Sequence, residues 1–118
     1  MDIKERAAKR KRIGQDIDLT GSKLREAEVD ALYDFVINIK SILGKTRTIK
    51  ESYTGPSAGG KFTRIESDTY TISRDKLGIF IDRHHEDYDD DGDGINGVFD
   101  ERISGARGIL NTLRKVFQ

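Results

Sequence analysis

The spacing of apolar residues changes its period near residue 44, and this change limits the chain to a mixed α+β fold. From Ser22 to Leu43 the apolar residues recur three or four positions apart, as on one face of a helix, and Gly44 is a suitable helix end. Between residues 45 and 83, β-branched and aromatic residues alternate with polar ones, which is typical of strands. We predict a helix followed by three or four antiparallel strands.

A second helical pattern covers the end of the chain. Its apolar residues also stand three or four apart, at Phe99, Ile103, Ala106, Leu110, Leu113 and Phe117. Gly105 and Gly108 lower its helix propensity, so this helix needs support from the sheet. The predicted fold is therefore α+β, with an N-terminal helix, an antiparallel meander of three to four strands, and a C-terminal helix packed on one face of the sheet.

Composition limits the size of the core and the class of protein. A chain of 118 residues fits one domain, and 35% apolar against 36% charged residues leaves a small core beneath a charged surface. The lack of cysteine excludes disulfides and thiolate metal sites and fits a cytoplasmic location. No apolar run approaches the roughly eighteen residues that span a bilayer, so we expect no membrane partner. We expect a single domain at 21–118, preceded at 1–20 by a basic arm that is either disordered or a frayed helix.

The formal net charge of zero hides two charge clusters of opposite sign. Basic residues crowd the arm and are candidate contacts for nucleic acid or an acidic partner: Lys4, Arg6, Lys9, Arg10, Lys11 and Arg12. Acidic residues crowd a loop near the other end, where Asp87, Asp90 and Glu101 form a candidate partner-facing patch. Such a patch would mimic the phosphates of nucleic acid and so inhibit a basic protein.

Residues 89–100, DDDGDGINGVFD, have the spacing of a twelve-residue calcium loop. Such a loop needs carboxylates at alternate early positions, a glycine at the sixth position and a closing carboxylate at the twelfth. Counting from Asp89 satisfies all three requirements, whereas counting from Asp87 places Val98 at the closing position, where it cannot coordinate. The predicted ligands are the carboxylates of Asp89, Asp91, Asp93 and Asp100 and the carbonyl of Ile95.

This stretch resembles the EF-hand loop, and especially the short loops of dockerin-type calcium modules, which often close with Asp. The resemblance covers residues 89–100 only. It implies Ca²⁺ as the bound ion, with Mg²⁺ as a second candidate because a closing Asp has a shorter reach than Glu. A bound ion would order the loop and fix the start of the last helix.

Two other stretches contain residues typical of metal-binding or phosphate-binding motifs, but neither fits such a motif in full. His84 and His85 precede the loop, but neighbouring residues on a strand point to opposite faces, so we predict a strand end in solvent rather than a shared metal ion. Residues 55–63, GPSAGGKFT, resemble both a P-loop and the loop that opens the second strand of double-stranded-RNA-binding domains. Phe62 replaces the magnesium-binding hydroxyl of the first, and Asp100 replaces the basic helix start of the second. We predict a hairpin connection there.

These patterns favour a non-enzymatic interaction domain with a calcium loop, whose partner is another protein. Two alternatives stay open: a nucleic-acid-associated module that acts through the basic arm, and an acidic-surface inhibitor of a basic protein.

Overall fold

The structure confirms the predicted order of helix, antiparallel meander and helix. The computed structural model describes residues 2–57, 60–89 and 95–118. Within these residues one antiparallel sheet contains four strands in sequence order, namely β1 (Thr46–Ser57), β2 (Gly60–Asp75), β3 (Gly78–Asp89) and β4 (Ile95–Ile103). The helices before and after it are α1 (Ile3–Gly14), α2 (Glu26–Ile37), α3 (Ile39–Ile42) and α4 (Ala106–Val116).

The helix predicted between residues 22 and 43 is divided into two helices, α2 and α3. They meet at Asn38, whose side-chain amide donates a hydrogen bond of 2.8 Å to the carbonyl of Asp34. Asparagine side chains compete in this way with backbone hydrogen bonds and interrupt helices. The positive φ of Gly44, 83°, then turns the chain into β1, as expected of a glycine at a helix end.

Residues 3–14, the larger part of the predicted basic arm, form α1 and pack against α2. The Asp2 carboxylate caps this helix by accepting a hydrogen bond of 2.8 Å from the backbone N–H of Glu5. Ile13, near its other end, is fully buried in the core. The arm is thus a capped and docked helix, and its basic side chains lie on the surface of a folded element.

The helix predicted from Phe99 onward was wrong for residues 99–103, which belong to β4. Phe99 and Ile103 are four residues apart, and residues with that separation lie on the same face of both a helix and a strand. In the sheet, Ile103 lies opposite the buried Ile81 and Phe99 lies opposite His85. The final helix begins only at Ala106, after Gly105.

The helices cover only one end of the sheet. The core joins the helices to four sheet residues, Tyr70, Ile72, Ile79 and Ile81. The Cα radius of gyration is 18.3 Å, well above the roughly 13.5 Å expected for a compact chain of this length. The difference arises because the strands continue beyond the helices. We call this part the sheet extension; it comprises residues 50–57, 60–68, 85–89 and 95–99.

A buried carboxylate connects α2 to α4. Glu28 is 1% exposed, and the guanidinium of Arg107 contacts both of its carboxylate oxygens, one of them at 3.3 Å. Arg114 lies 3.4 Å from the same carboxylate, and the backbone N–H of Arg25 donates to it at 3.0 Å. These contacts, led by the hydrogen bond from Arg107, lower the pKa of Glu28 from 4.5 to about 2.

A glycine makes the close contact between the segment that follows α1 and the β2–β3 turn. Gly78 has a φ of 133°, and a Cβ atom at this position would lie 2.2 Å from the carbonyl oxygen of Asp16. That same carbonyl accepts a hydrogen bond of 2.8 Å from the N–H of Ile79. Only a residue without a side chain fits both the backbone angle and the contact.

The Glu28 carboxylate is expected to make stability depend on pH in the acid range. Because its pKa is lowered on folding, its contribution is complete above pH 4.5 and is lost as the pH falls toward 2. Glu28→Gln should lower the melting temperature at neutral pH by more than about 5 °C, with a smaller difference near pH 2. Glu26→Gln, which removes an exposed carboxylate from the same helix, is the control and should change little. A pH-independent difference between wild type and Glu28→Gln would contradict the assignment.

Gly78→Ala should destabilise the fold by about 2 kcal/mol, because the new methyl group strains the backbone and collides with Asp16. Urea unfolding followed by circular dichroism measures this as a lower transition midpoint. Gly14→Ala is the matched control, since a Cβ there meets no atom within 4 Å. Equal midpoints for the two variants would show that the contact at Gly78 can relax.

Candidate metal centre

Charged side chains occupy the helix-side face of the sheet extension. Strand residues two apart share a face, so the face that buries Tyr70 continues outward through Asp68, Glu66 and Arg64 on β2. On β3 the same face continues through Arg83, His85, Asp87 and Asp89. The antiparallel register places Asp68 opposite His85 and Glu66 opposite Asp87. A face that is apolar beneath the helices thus becomes charged where the helices end.

His85 is held in a fixed orientation on this face. Its Nδ1 atom lies 2.8 Å from a carboxylate oxygen of Asp68, and its ring stacks on Phe99 with 4.6 Å between the ring centroids. The side chain is only 13% exposed. Burial disfavours the charged form of Asp68, but hydrogen bonds from His85 and Arg83 outweigh it and lower the pKa of Asp68. Asp68 is therefore an ionised partner that fixes the imidazole ring.

Three potential metal ligands converge beside this histidine. Each of Glu66, His85 and Asp87 offers a ligand atom, and the three atoms lie within 4.8 Å of one another. Asp87 is buried, whereas Glu66 and His85 are half-buried. Since Asp68 occupies Nδ1 of His85, Nε2 is the ring nitrogen left for a cation.

Arg64 neutralises one of these ligands. Its Nε donates to Asp87 at 2.7 Å, and a second guanidinium nitrogen contacts the other carboxylate oxygen. The hydrogen bonds from Arg64 lower the pKa of Asp87, which keeps this buried carboxylate ionised. A cation that binds Asp87 therefore competes with the guanidinium for this carboxylate.

Of the predicted calcium ligands that the structure describes, Asp89 and Asp100 do not lie together. Asp89 ends β3 on the helix-side face, and Ile95 begins β4 opposite Tyr88. Asp100 lies opposite His84, five residues from Asp89, which is roughly 16 Å along the strand, and on the other face. Asp91 and Asp93 lie outside the described residues. Residues 95–103 form a strand and the last helix begins only at Ala106, so residues 89–100 do not lead directly into that helix. Calcium binding by these residues stays a prediction.

The two histidines point to opposite faces of β3, as predicted, so they cannot share an ion. Both lie in the middle of the strand, however, and not at an end in solvent. Nδ1 of His84 lies 2.7 Å from Asp100, and its Nε2 lies 3.1 Å from Glu86. Hydrogen bonds to these carboxylates, first that to Asp100, raise the pKa of His84 above its ordinary value of 6.5.

Most of the basic residues predicted to contact a partner are engaged within the fold. Arg6 pairs with Glu26 at 3.2 Å, Lys9 pairs with Asp30 at 2.8 Å, and Arg12 pairs with Asp16 at 2.7 Å. Arg10 donates to the carbonyl of Leu24 at 3.1 Å. These contacts lower the positive charge that α1 offers to nucleic acid. Lys4 and Lys11 are exposed.

The candidate acidic patch is not a continuous exposed surface. Asp87 is 6% exposed and bound to Arg64, so it does not face a partner as the sequence predicted. Glu101 is exposed but pairs with Arg83 at 3.0 Å. Asp90 lies outside the described residues.

Sequence analysis missed the roles of Glu66 and Asp68 and the connection of both to β3. The signal lay in the turn that joins β2 to β3, where Asp75 pairs with Gly78. That pairing leaves a two-residue turn, and a two-residue turn fixes the register of both strands. Counting outward from it places Asp68 opposite His85 and Glu66 opposite Asp87.

No family model, curated protein or solved structure matches the chain. Among the helices of the described residues, none has the length and apolar character needed to cross a membrane.

The His84 contacts predict a measurable titration. In an NMR pH titration the ring signals of His84 should shift with a midpoint above 6.5, because both carboxylates stabilise the charged ring. The contribution of protonated His84 to folding stability is complete below the pKa of an unfolded-state histidine. It is lost as the pH rises through the higher pKa of His84 in the folded state. Asp100→Asn should lower the midpoint, since it removes the larger of the two contributions. An unchanged midpoint in that variant would contradict the pairing.

Proposed function

We propose that this chain is a non-enzymatic binding domain that holds a divalent cation at Glu66, His85 and Asp87. The observation that supports this proposal is the convergence of three ligand atoms within 4.8 Å on adjacent strands. Strands fix the positions of their side chains more firmly than loops do, so such a site is organised before a cation arrives. The proposal keeps the cation-binding function expected from the sequence and adds a site on the sheet to the loop predicted at residues 89–100.

The ligand types favour zinc or a similar transition-metal ion over calcium. Imidazole nitrogen with carboxylate oxygens suits Zn²⁺, whereas Ca²⁺ takes six to eight oxygen ligands. Zinc-bound histidines also commonly direct their second nitrogen to a carboxylate, and Asp68 is in that position relative to His85. Three protein ligands leave a fourth coordination position for water or for a side chain of a bound protein.

Arg64 acts as the counter-ion of the cation-free site. Two carboxylates close to each other repel, and the guanidinium relieves that repulsion by binding Asp87. The Arg64 side chain is 47% exposed and borders an open hollow of about 330 Å³ beside Glu66. It can therefore swing aside when a cation takes its place. Removing this competing charge should strengthen cation binding.

Isothermal titration with Zn²⁺ tests the proposal. His85→Ala and Asp87→Asn should each weaken binding at least about 100-fold, because each removes a ligand and not merely a supporting group. Arg64→Met should strengthen binding by roughly tenfold. His84→Ala is the matched control, since that neighbouring ring lies on the opposite face of the sheet.

Equal zinc affinity in His84→Ala and His85→Ala would refute the sheet site. The calcium loop of residues 89–100 stays a separate prediction from the sequence. Asp93→Ala, a substitution in that loop, should leave zinc binding to the sheet unchanged, so the two cation sites can be distinguished.

A further inference from the structure

The outer edge of β1 is open along its whole length. β1 pairs with β2 in an unbroken register from Thr46 to Ser57, and no strand lies on its other side within the described residues. All side chains from Thr46 to Thr54 are exposed except that of Ile49. The opposite edge strand, β4, is instead interrupted by a register shift beside Tyr88. Long, regular and uncovered edges are templates for another strand.

The backbone groups that point outward can be identified. Ile72 donates to the carbonyl of Lys45 at 3.0 Å, so odd-numbered residues of β1 direct their N–H and C=O groups toward β2. The hydroxyls of Thr48 and Thr69 lie 3.1 Å apart, as expected for residues of a closely spaced pair without backbone hydrogen bonds. Even-numbered residues therefore present their backbone groups to the free edge.

The side chains of β1 are complementary to those of a second, antiparallel β1. If the twofold axis passes beside Ile49, Arg47 lies opposite Glu51 of the second copy, and the pair occurs twice. Ile49 then lies opposite its own copy, and Thr48 lies opposite Lys50. Opposite charges across neighbouring strands stabilise a sheet, and like charges destabilise it. Moving the axis to Lys50 places Lys50 against Lys50, and moving it to Thr48 places Arg47 against Ile49 and Glu51 against Lys45, which precedes β1. Either shift removes both Arg47–Glu51 pairs.

The two charged residues are available for this contact. Within the described part of the chain, neither Arg47 nor Glu51 forms an ion pair, although the hydroxyl of Tyr53 donates to Glu51 at 2.6 Å. Odd-numbered residues would form the closer type of antiparallel pair across the new interface, where side chains interact most strongly. Even-numbered residues would supply the backbone hydrogen bonds.

We infer that the chain forms a twofold dimer in which β1 pairs with β1 of a second copy, centred on Ile49. The two sheets then become one continuous sheet, and the same strand contributes from both copies, as in most symmetric dimers. None of the three proposed cation ligands lies on β1. Glu51 lies opposite Glu66 in the register of β1 and β2, so Thr48→Pro, which leaves that pair unchanged, is the variant that distinguishes failure of the dimer from failure of the cation site.

Sedimentation equilibrium at low ionic strength tests this inference. The wild-type chain should reach twice its mass of 13.3 kDa at high micromolar concentration. Arg47→Glu and Glu51→Arg should each weaken the dimer at least roughly tenfold, since each places like charges opposite one another. The double variant Arg47→Glu with Glu51→Arg should restore it, because the pairs are regenerated with reversed sign.

Thr48→Pro separates edge pairing from folding. The N–H of Thr48 points to the free edge, so proline there removes an intermolecular hydrogen bond and leaves the backbone hydrogen bonds to β2 intact, although the hydroxyl contact with Thr69 is lost. We expect a monomer with an unchanged circular dichroism spectrum and unchanged zinc affinity. Thr48→Val, which removes only that hydroxyl contact, is the control and should stay dimeric. A monomeric wild type, a dimer that survives Thr48→Pro, or a double charge variant that stays monomeric would each overturn the inference.

Discussion

The ionised carboxylate of Glu28 is the constraint on which the arrangement of the helices depends. A charge that is 1% exposed is costly unless it is fully paired, and its partners Arg107 and Arg114 come from the other end of the chain. Apolar packing alone would allow α4 to slide along the sheet, because hydrophobic contacts have no direction. The guanidinium contacts fix the position of α4 against α2. They also fix which part of the sheet α4 covers.

The point at which the helices stop covering the sheet then determines which kinds of side chain the sheet face carries. Beneath the helices the face can be apolar, but beyond them the same alternating positions meet water and must be satisfied differently. The chain fills them with mutually paired charges, as in Arg83 with Asp68 and Arg64 with Asp87. Such pairs hold carboxylates close together and ionised. That is also the condition a cation site requires, so the proposed site arises where the apolar core ends.

Local patterns predicted the elements of this fold, and long-range pairing decided what those patterns left ambiguous. The period of apolar residues identified α2 and the meander, because burial on one face imposes that period. Phe99 and Ile103 were assigned to a helix since a spacing of four fits both structures, and only the pairing with β3 resolves it. The candidate site was hidden for the same reason. Glu66 and His85 are far apart in the sequence, and only the register of the β2–β3 hairpin brings them together.

The distribution of ion pairs also bears on where a binding surface is proposed. The sequence contains equal numbers of acidic and basic residues, 21 of each. In α1 these charges are largely satisfied within the fold, as with Lys9 and Asp30, so a high local charge there does not imply an interface. On β1 the opposite holds, because Arg47 and Glu51 are exposed and form no ion pair within the described residues. Charges that the fold leaves unpaired along an open strand edge are better evidence of a binding surface than charge density alone.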